Sequence, residues 1–164
     1  MNTTIDWSKV IPIKMMNGED DEDSLLLQQM LTEAENYLRS YRWCREIKDT
    51  FWGIGIGGVV AVFLFHIKPE LPCTDDYVWV IVGDIPPLYI TVDDAPNPAC
   101  ALKGYIGAMK AWATAAMKGD TVEDLAPVYA AATKKNGIAL KKRLEFLDRE
   151  ILVNYKADLN SVKI

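Results

Sequence analysis

Apolar residues recur at helical spacing in three stretches and crowd into short dense runs between the first and second. Leu27, Leu31, Ala34, Leu38, Tyr41 and Cys44 fall three or four residues apart. This spacing predicts an amphipathic helix from about Leu25 to Lys48, capped by Ser24. Leu102, Tyr105, Ile106, Met109, Trp112, Ala113 and Ala116 repeat the pattern. Asn97 is placed to cap that helix, Pro98 to open it and Gly119 to end it after Lys118. Leu140, Leu144, Leu147, Ile151 and Tyr155 predict a further helix from about Lys135 to Tyr155. Thr121-Val122-Glu123-Asp124 can cap one short turn, which Pro127 limits.

The dense runs predict four strands, roughly 51–56, 59–67, 77–83 and 88–92. Gly57-Gly58 can supply the positive φ angles of a tight hairpin turn, and Gly83-Asp84-Ile85-Pro86-Pro87 turns the chain into the fourth strand. If each hairpin closes symmetrically, one face carries Trp52, Ile54, Ile56, Ala61, Phe63, Phe65, Ile67, Tyr77, Trp79, Ile81, Leu88, Ile90 and Val92. The other carries Gly53, Gly55, Val60, Val62, Leu64, His66, Val78, Val80, Val82, Tyr89, Thr91 and Asp93. Two glycines at alternate positions strip one face of a strand, which marks a close approach by a helix, a subunit or a ligand.

The expected fold is α+β: a four-stranded antiparallel meander preceded by one long helix and followed by two. Residues 1–22 read as an irregular acidic arm ending in Glu19-Asp20-Asp21-Glu22-Asp23, and 23–164 as one domain. The uncharged run from Phe51 to Ile67 is near the lower limit of a membrane helix, but its central Gly-Gly pair and β-branched residues favour two strands. A net charge of −5 argues against general nucleic-acid binding and leaves a basic protein partner open. Cys44, Cys73 and Cys100 lack metal-ligand spacing, and His66 is the only histidine, so no cofactor, structural zinc site or disulfide framework is expected. No signal peptide is visible, and a reducing cytoplasm fits best.

Candidate chemistry is sparse. Asp75 and Asp76 open the third strand, Asp93 and Asp94 close the fourth, and antiparallel pairing brings these ends to one edge with His66, which falls in one row with Val78 and Asp93. Such a cluster can hold a divalent cation or use the histidine as a general base, although acidic residues also favour turns at strand ends. Gly53-Ile54-Gly55-Ile56-Gly57-Gly58 matches a dinucleotide-binding string, but it precedes a strand and has no helix N-terminus for a phosphate. Cys44 reads as a core cysteine, and Cys100 as the one best placed for thiolate stabilisation. The basic run from Lys134 to Arg143 reads as the solvated face of its helix, with a contact to an acidic partner, or to the acidic arm of another copy, as the alternative.

Three stretches, Trp43-Cys44-Arg45-Glu46-Ile47, Val82-Gly83-Asp84-Ile85-Pro86-Pro87 and Asp93-Asp94-Ala95-Pro96-Asn97-Pro98, together resemble a family of small uncharacterised bacterial proteins of unknown function. The resemblance covers about residues 35–155 and implies no particular activity. The function expected from the residues is a non-enzymatic protein-interaction module, immunity-type or regulatory, with an acidic edge for a basic partner. The alternatives are a metal-assisted hydrolase built on the Asp cluster with His66, and an apolar ligand or a second subunit on the face notched by Gly53 and Gly55.

Overall fold

Val60–Ile67 and Val78–Val82 form the centre of the molecule, where nearly every side chain is buried whichever way it points. Central strands covered on both faces read as continuous apolar runs, and these two do. The computed structural model describes residues 5–69 and 76–160. Its elements run β1 (Ile11–Pro12), α1 (Asp21–Arg39), β2 (Cys44–Ile56), β3 (Val60–Pro69), β4 (Tyr77–Gly83), β5 (Ile85–Thr91), α2 (Pro98–Lys118), α3 (Lys134–Phe146) and α4 (Lys156–Asn160). The strands make one antiparallel sheet in chain order, so the fold is α+β with a five-stranded meander. The fifth strand is β1, a two-residue piece of the N-terminal arm paired through Ile11 with Trp52 and through Pro12 with Phe51.

The arm is anchored rather than loose. Ile5 and Val10 are buried, Trp7 lies edge-on to Phe51 and Tyr77, and Lys9 pairs with Asp158 at 2.9 Å. At its end Asp20, not Ser24, caps α1 by accepting from the Asp23 N–H at 2.8 Å, while Asp23 accepts in return from Glu19 N–H at 2.9 Å. The other Asp23 oxygen accepts from Gly57 N–H at 2.7 Å, which fastens the β2–β3 hairpin to the start of α1.

Two expectations about the first helix and first strand are corrected. α1 ends at Arg39, where Ser40 N–H and hydroxyl turn back onto Asn36 and Tyr37, and the stretch 44–48 is strand, not helix. Bulges between Cys44 and Glu46 and between Ile47 and Asp49 break the two-residue alternation that would have marked it as strand. At the other hairpin, Pro86 and Pro87 lie within β5 and the turn shrinks to Asp84; proline is tolerated there because β5 is an edge strand. Thr121–Asp124 makes a single hydrogen-bonded turn, with Leu125 N–H donating to Val122 O at 3.1 Å. The last helix keeps its inward stripe but passes through a π turn at Leu147–Ile151 and a 3-10 turn at Leu152–Tyr155.

The sheet register also differs from symmetric closure. Ile56 pairs with Val60 across a three-residue turn, so Ile54 and Ile56 share a face with Val62 and Val60. A bulge at Gly53 then resets the count, and Trp52 faces with Phe63 as expected. Between β3 and β4 the pairing Val62–Ile81 and Phe65–Val78 is one residue away from the expected one, which exchanges the β4 side chains between faces. The result is two continuous apolar faces. α1 covers Ala61, Phe63, Phe65, Val78, Val80 and Val82; α2 covers Val60, Val62, Leu64, Trp79, Ile81 and Leu88, with the stripe of α3 joining that core.

Tyr105 sits in this second core and donates its hydroxyl hydrogen to Pro86 O at 2.5 Å. Burial pushes its pKa, and that of Tyr37 on the α1 side, far above the ordinary value of 10.0. The folded state therefore holds phenolic protons that the unfolded chain releases, so stability is intact below that value and falls as pH rises past it. Urea midpoints measured from about pH 9 to about pH 11 should drop, and Tyr105→Phe should flatten part of the drop. A midpoint that stays level over that range would show that neither hydroxyl is held as described.

Candidate functional site

Both glycines that the sequence singles out are occupied by packing, and they do not share a face. A Cβ on Gly53, the bulge residue, would strike Pro98 at the start of α2. A Cβ on Gly55 would strike the Trp52 indole and lie 2.7 Å from Leu27 Cδ2 on α1. The bulge between them turns the strand by one residue, so the notch expected on one face is two separate close approaches by helices. Each of the two positions is filled by a contact from the core side, Pro98 of α2 at Gly53 and Leu27 of α1 at Gly55.

The acidic strand ends do reach one end of the sheet, but not in the expected row. His66 lies opposite Asp49 on β2 and Tyr77 on β4, not opposite Val78. Its Nδ1 is 3.5 Å from Asp49 Oδ2 and its ring stacks on Tyr77 at 4.5 Å. Asp76, Asp93 and Asp94 are exposed, and Asp94 accepts from the Thr91 hydroxyl at 3.3 Å. Asp75, like Cys73, lies outside the described residues. Among the described residues, no group of three or more His, Cys, Asp and Glu side chains is gathered to hold a metal ion. Burial pushes the thiols of Cys44 and Cys100 up, away from thiolate. The placement of Cys100 in the first turn of α2 is thus outweighed by desolvation.

The opposite end of the sheet carries a cleft. Gly57-Gly58-Val59 closes the β2–β3 hairpin, with Gly58 at φ 77° and Val59 N–H donating to Ile56 O at 3.0 Å. Gly83-Asp84-Ile85 closes β4–β5, and Asp84 N–H donates to Val59 O at 3.1 Å. The two turns are thereby fastened to each other. α3 passes them with a face of its own: Lys135, Ile138, Ala139, Lys142 and Phe146 recur at helical spacing, apart from the Leu140, Leu144 and Leu147 stripe in the core. Between this face and Gly58, Val59 and Ile85 lies a cavity of about 650 Å³.

Its floor is aliphatic and aromatic carbon, and Phe146 leaves 41% of its surface open to it and to solvent. Its polar groups are Lys135, Lys142, Arg143 and Asp84. Arg143 Nε lies 3.1 Å from Asp84 Oδ2, and its Nη1 donates to Ala139 O at 3.4 Å. Asp84, Ile85, Ala139 and Arg143 also line a second cavity of about 220 Å³, walled by Pro86, Trp112, Val128 and Leu140. The ion pair stands where the two cavities adjoin.

None of the cleft's residues stands out as a binding residue in the sequence, although the basic run does as a charged helix face. The legible signal was Ile138 and Phe146, two large apolar residues inside a face otherwise read as solvated. Among the described residues no helix is long and apolar enough to cross a membrane, so the run Phe51–Ile67 is two strands. Comparison of the chain with protein-family models, with curated proteins and with solved structures finds no match.

Proposed function

We propose that this domain is a small-molecule binding protein whose ligand seats in the cleft between α3 and the two fastened turns. The observation that carries this reading is the cleft itself: about 650 Å³, with an apolar floor and a few convergent charged groups. Ligand sites typically occupy about 300–1,000 Å³ and have that mixture of lining. The lining favours recognition over reaction. Asp84 is its one carboxylate and is engaged by Arg143, while His66, Cys44 and Cys100 lie elsewhere. This reading is preferred to a protein-interaction module with an acidic edge because Asp76, Asp93 and Asp94 are exposed residues at strand ends, where acidic side chains favour turns whether or not a protein binds there.

The test is a thermal-shift screen of apolar and amphipathic metabolites on the wild-type chain and on Ile138→Trp, which fills the cleft from a half-buried position. A ligand at a hundred times its dissociation constant stabilises by about 2.7 kcal/mol, which raises the melting temperature by several degrees. Compounds that shift the wild type and not the variant are expected. A screen in which every compound shifts both proteins alike, or none shifts either, would remove the cleft as the site.

A further inference from the structure

We propose that the ligand of this cleft is an amphipathic carboxylate, its apolar body on Val59, Ile138 and Phe146 and its anionic end held by Lys142 and Arg143. The inference rests on the cleft being the ligand site and adds the ligand's chemistry. Three cations and one carboxylate line the cavity, an excess of positive charge on a chain whose net charge is −5. Two cations nearby are matched, Lys141 at 3.9 Å from Glu145 and Lys110 at 3.9 Å from Asp148, but Lys134 beside Lys135 is not among the paired ones in the described residues. Lys135 and Lys142 make no such pair among the described residues.

Lys135 also stands in the first turn of α3, where a cation opposes the helix dipole. Lys135 is exposed and lines the cavity. An anion in the cleft accounts for that placement.

Arg143 is the residue that can exchange partners. Its pair with Asp84 is exposed to solvent, and such pairs contribute little to stability. An incoming carboxylate can take the guanidinium from Asp84 at little cost and gains the planar fork that suits two oxygens. The apolar body then has the main floor on one side and the second cavity, beside Trp112, on the other. The dimensions favour a small molecule over a protein segment, because a stable protein interface buries about 800 Å² on each partner, far more than eleven residues around one cavity supply.

Isothermal titration of the full chain with decanoate, decanol and decylamine, each below its aggregation limit, tests the assignment. Decanoate is expected to bind at least about tenfold tighter than decanol, and decylamine weakest. Lys142→Gln and Arg143→Gln should each weaken decanoate about tenfold and leave decanol nearly unchanged. Asp84→Asn should tighten decanoate severalfold by freeing Arg143, an increase that a merely structural role for Asp84 would not produce. Decanol binding as tightly as decanoate, with Ile138→Trp abolishing both, would overturn the carboxylate and leave the cleft standing. Binding of neither, or binding that Ile138→Trp does not touch, would overturn both. Decanoate affinity indifferent to all three charge variants would also overturn the carboxylate.

Discussion

Truncating Trp79 to alanine is expected to destabilise the fold by about 3–5 kcal/mol, the range for removing a fully buried large aromatic. Trp79 is the largest side chain with no exposed surface, and it lies at the centre of the face that α2 covers. Its Nε1–H donates to Ala95 O at 2.8 Å, which pins the connection between β5 and α2. The variant loses the packing and also leaves a carbonyl beside Trp79 without its partner. Trp79→Phe separates the two contributions: it keeps most of the apolar contact, drops the hydrogen bond and should lose about 1–3 kcal/mol. Urea unfolding of both variants checks this. A loss below about 1 kcal/mol for the alanine variant would mean that the sheet face and α2 are not packed as described, since natural domains have only about 5–15 kcal/mol in all.

The same face shows which features of the fold were legible in the sequence. α2 was legible end to end, because Asn97, Pro98, the apolar stripe and Gly119 all specify the same helix, and Asn97 accepts from Cys100 N–H at 2.9 Å as a cap should. The first half of β2 was not, because its two bulges erase alternation while Tyr41 and Cys44 happen to extend the helical spacing of α1. Register failed between β3 and β4 for a different reason: a long connection, unlike a tight turn, does not fix which residues face each other. That slip put His66 in a row with Val78 and Asp93, where the structure has it opposite Tyr77, and made the acidic ends look like a site. The cleft was hidden because its parts come from two turns and a helix face far apart in sequence, and only Ile138 and Phe146 hinted at it. Gly53 and Gly55 did report close approaches, but the bulge that sends them to opposite helices cannot be read from spacing alone.

Gly83→Ala is expected to be the most damaging single-methyl change, because conformation and space fail together. Gly83 has φ 151°, a region that residues with a Cβ rarely adopt, and holding one there costs about 1–3 kcal/mol. Its Cβ would strike the Val59 carbonyl oxygen and come within 2.8 Å of Val59 C. That backbone cannot retreat cheaply, since the same oxygen accepts the Asp84 N–H at 3.1 Å; forcing it apart adds roughly 1–3 kcal/mol of overpacking. Gly58→Ala is the matched control. Gly58 also has a positive φ, 77°, but the nearest atom to an added Cβ is Leu26 Cδ1 at 3.8 Å, so only the conformational cost of about 1–2 kcal/mol applies. Denaturant midpoints should therefore fall much further for Gly83→Ala than for Gly58→Ala, and equal losses would show that the contact between the two turns is not rigid. The contact matters beyond stability. Val59 and Asp84 are the cleft's floor and its carboxylate, so separating the turns moves the ion pair away from the floor that holds the apolar body. At temperatures where the variant is still folded, Gly83→Ala should weaken decanoate more than Gly58→Ala does, although neither glycine adds or removes a charge.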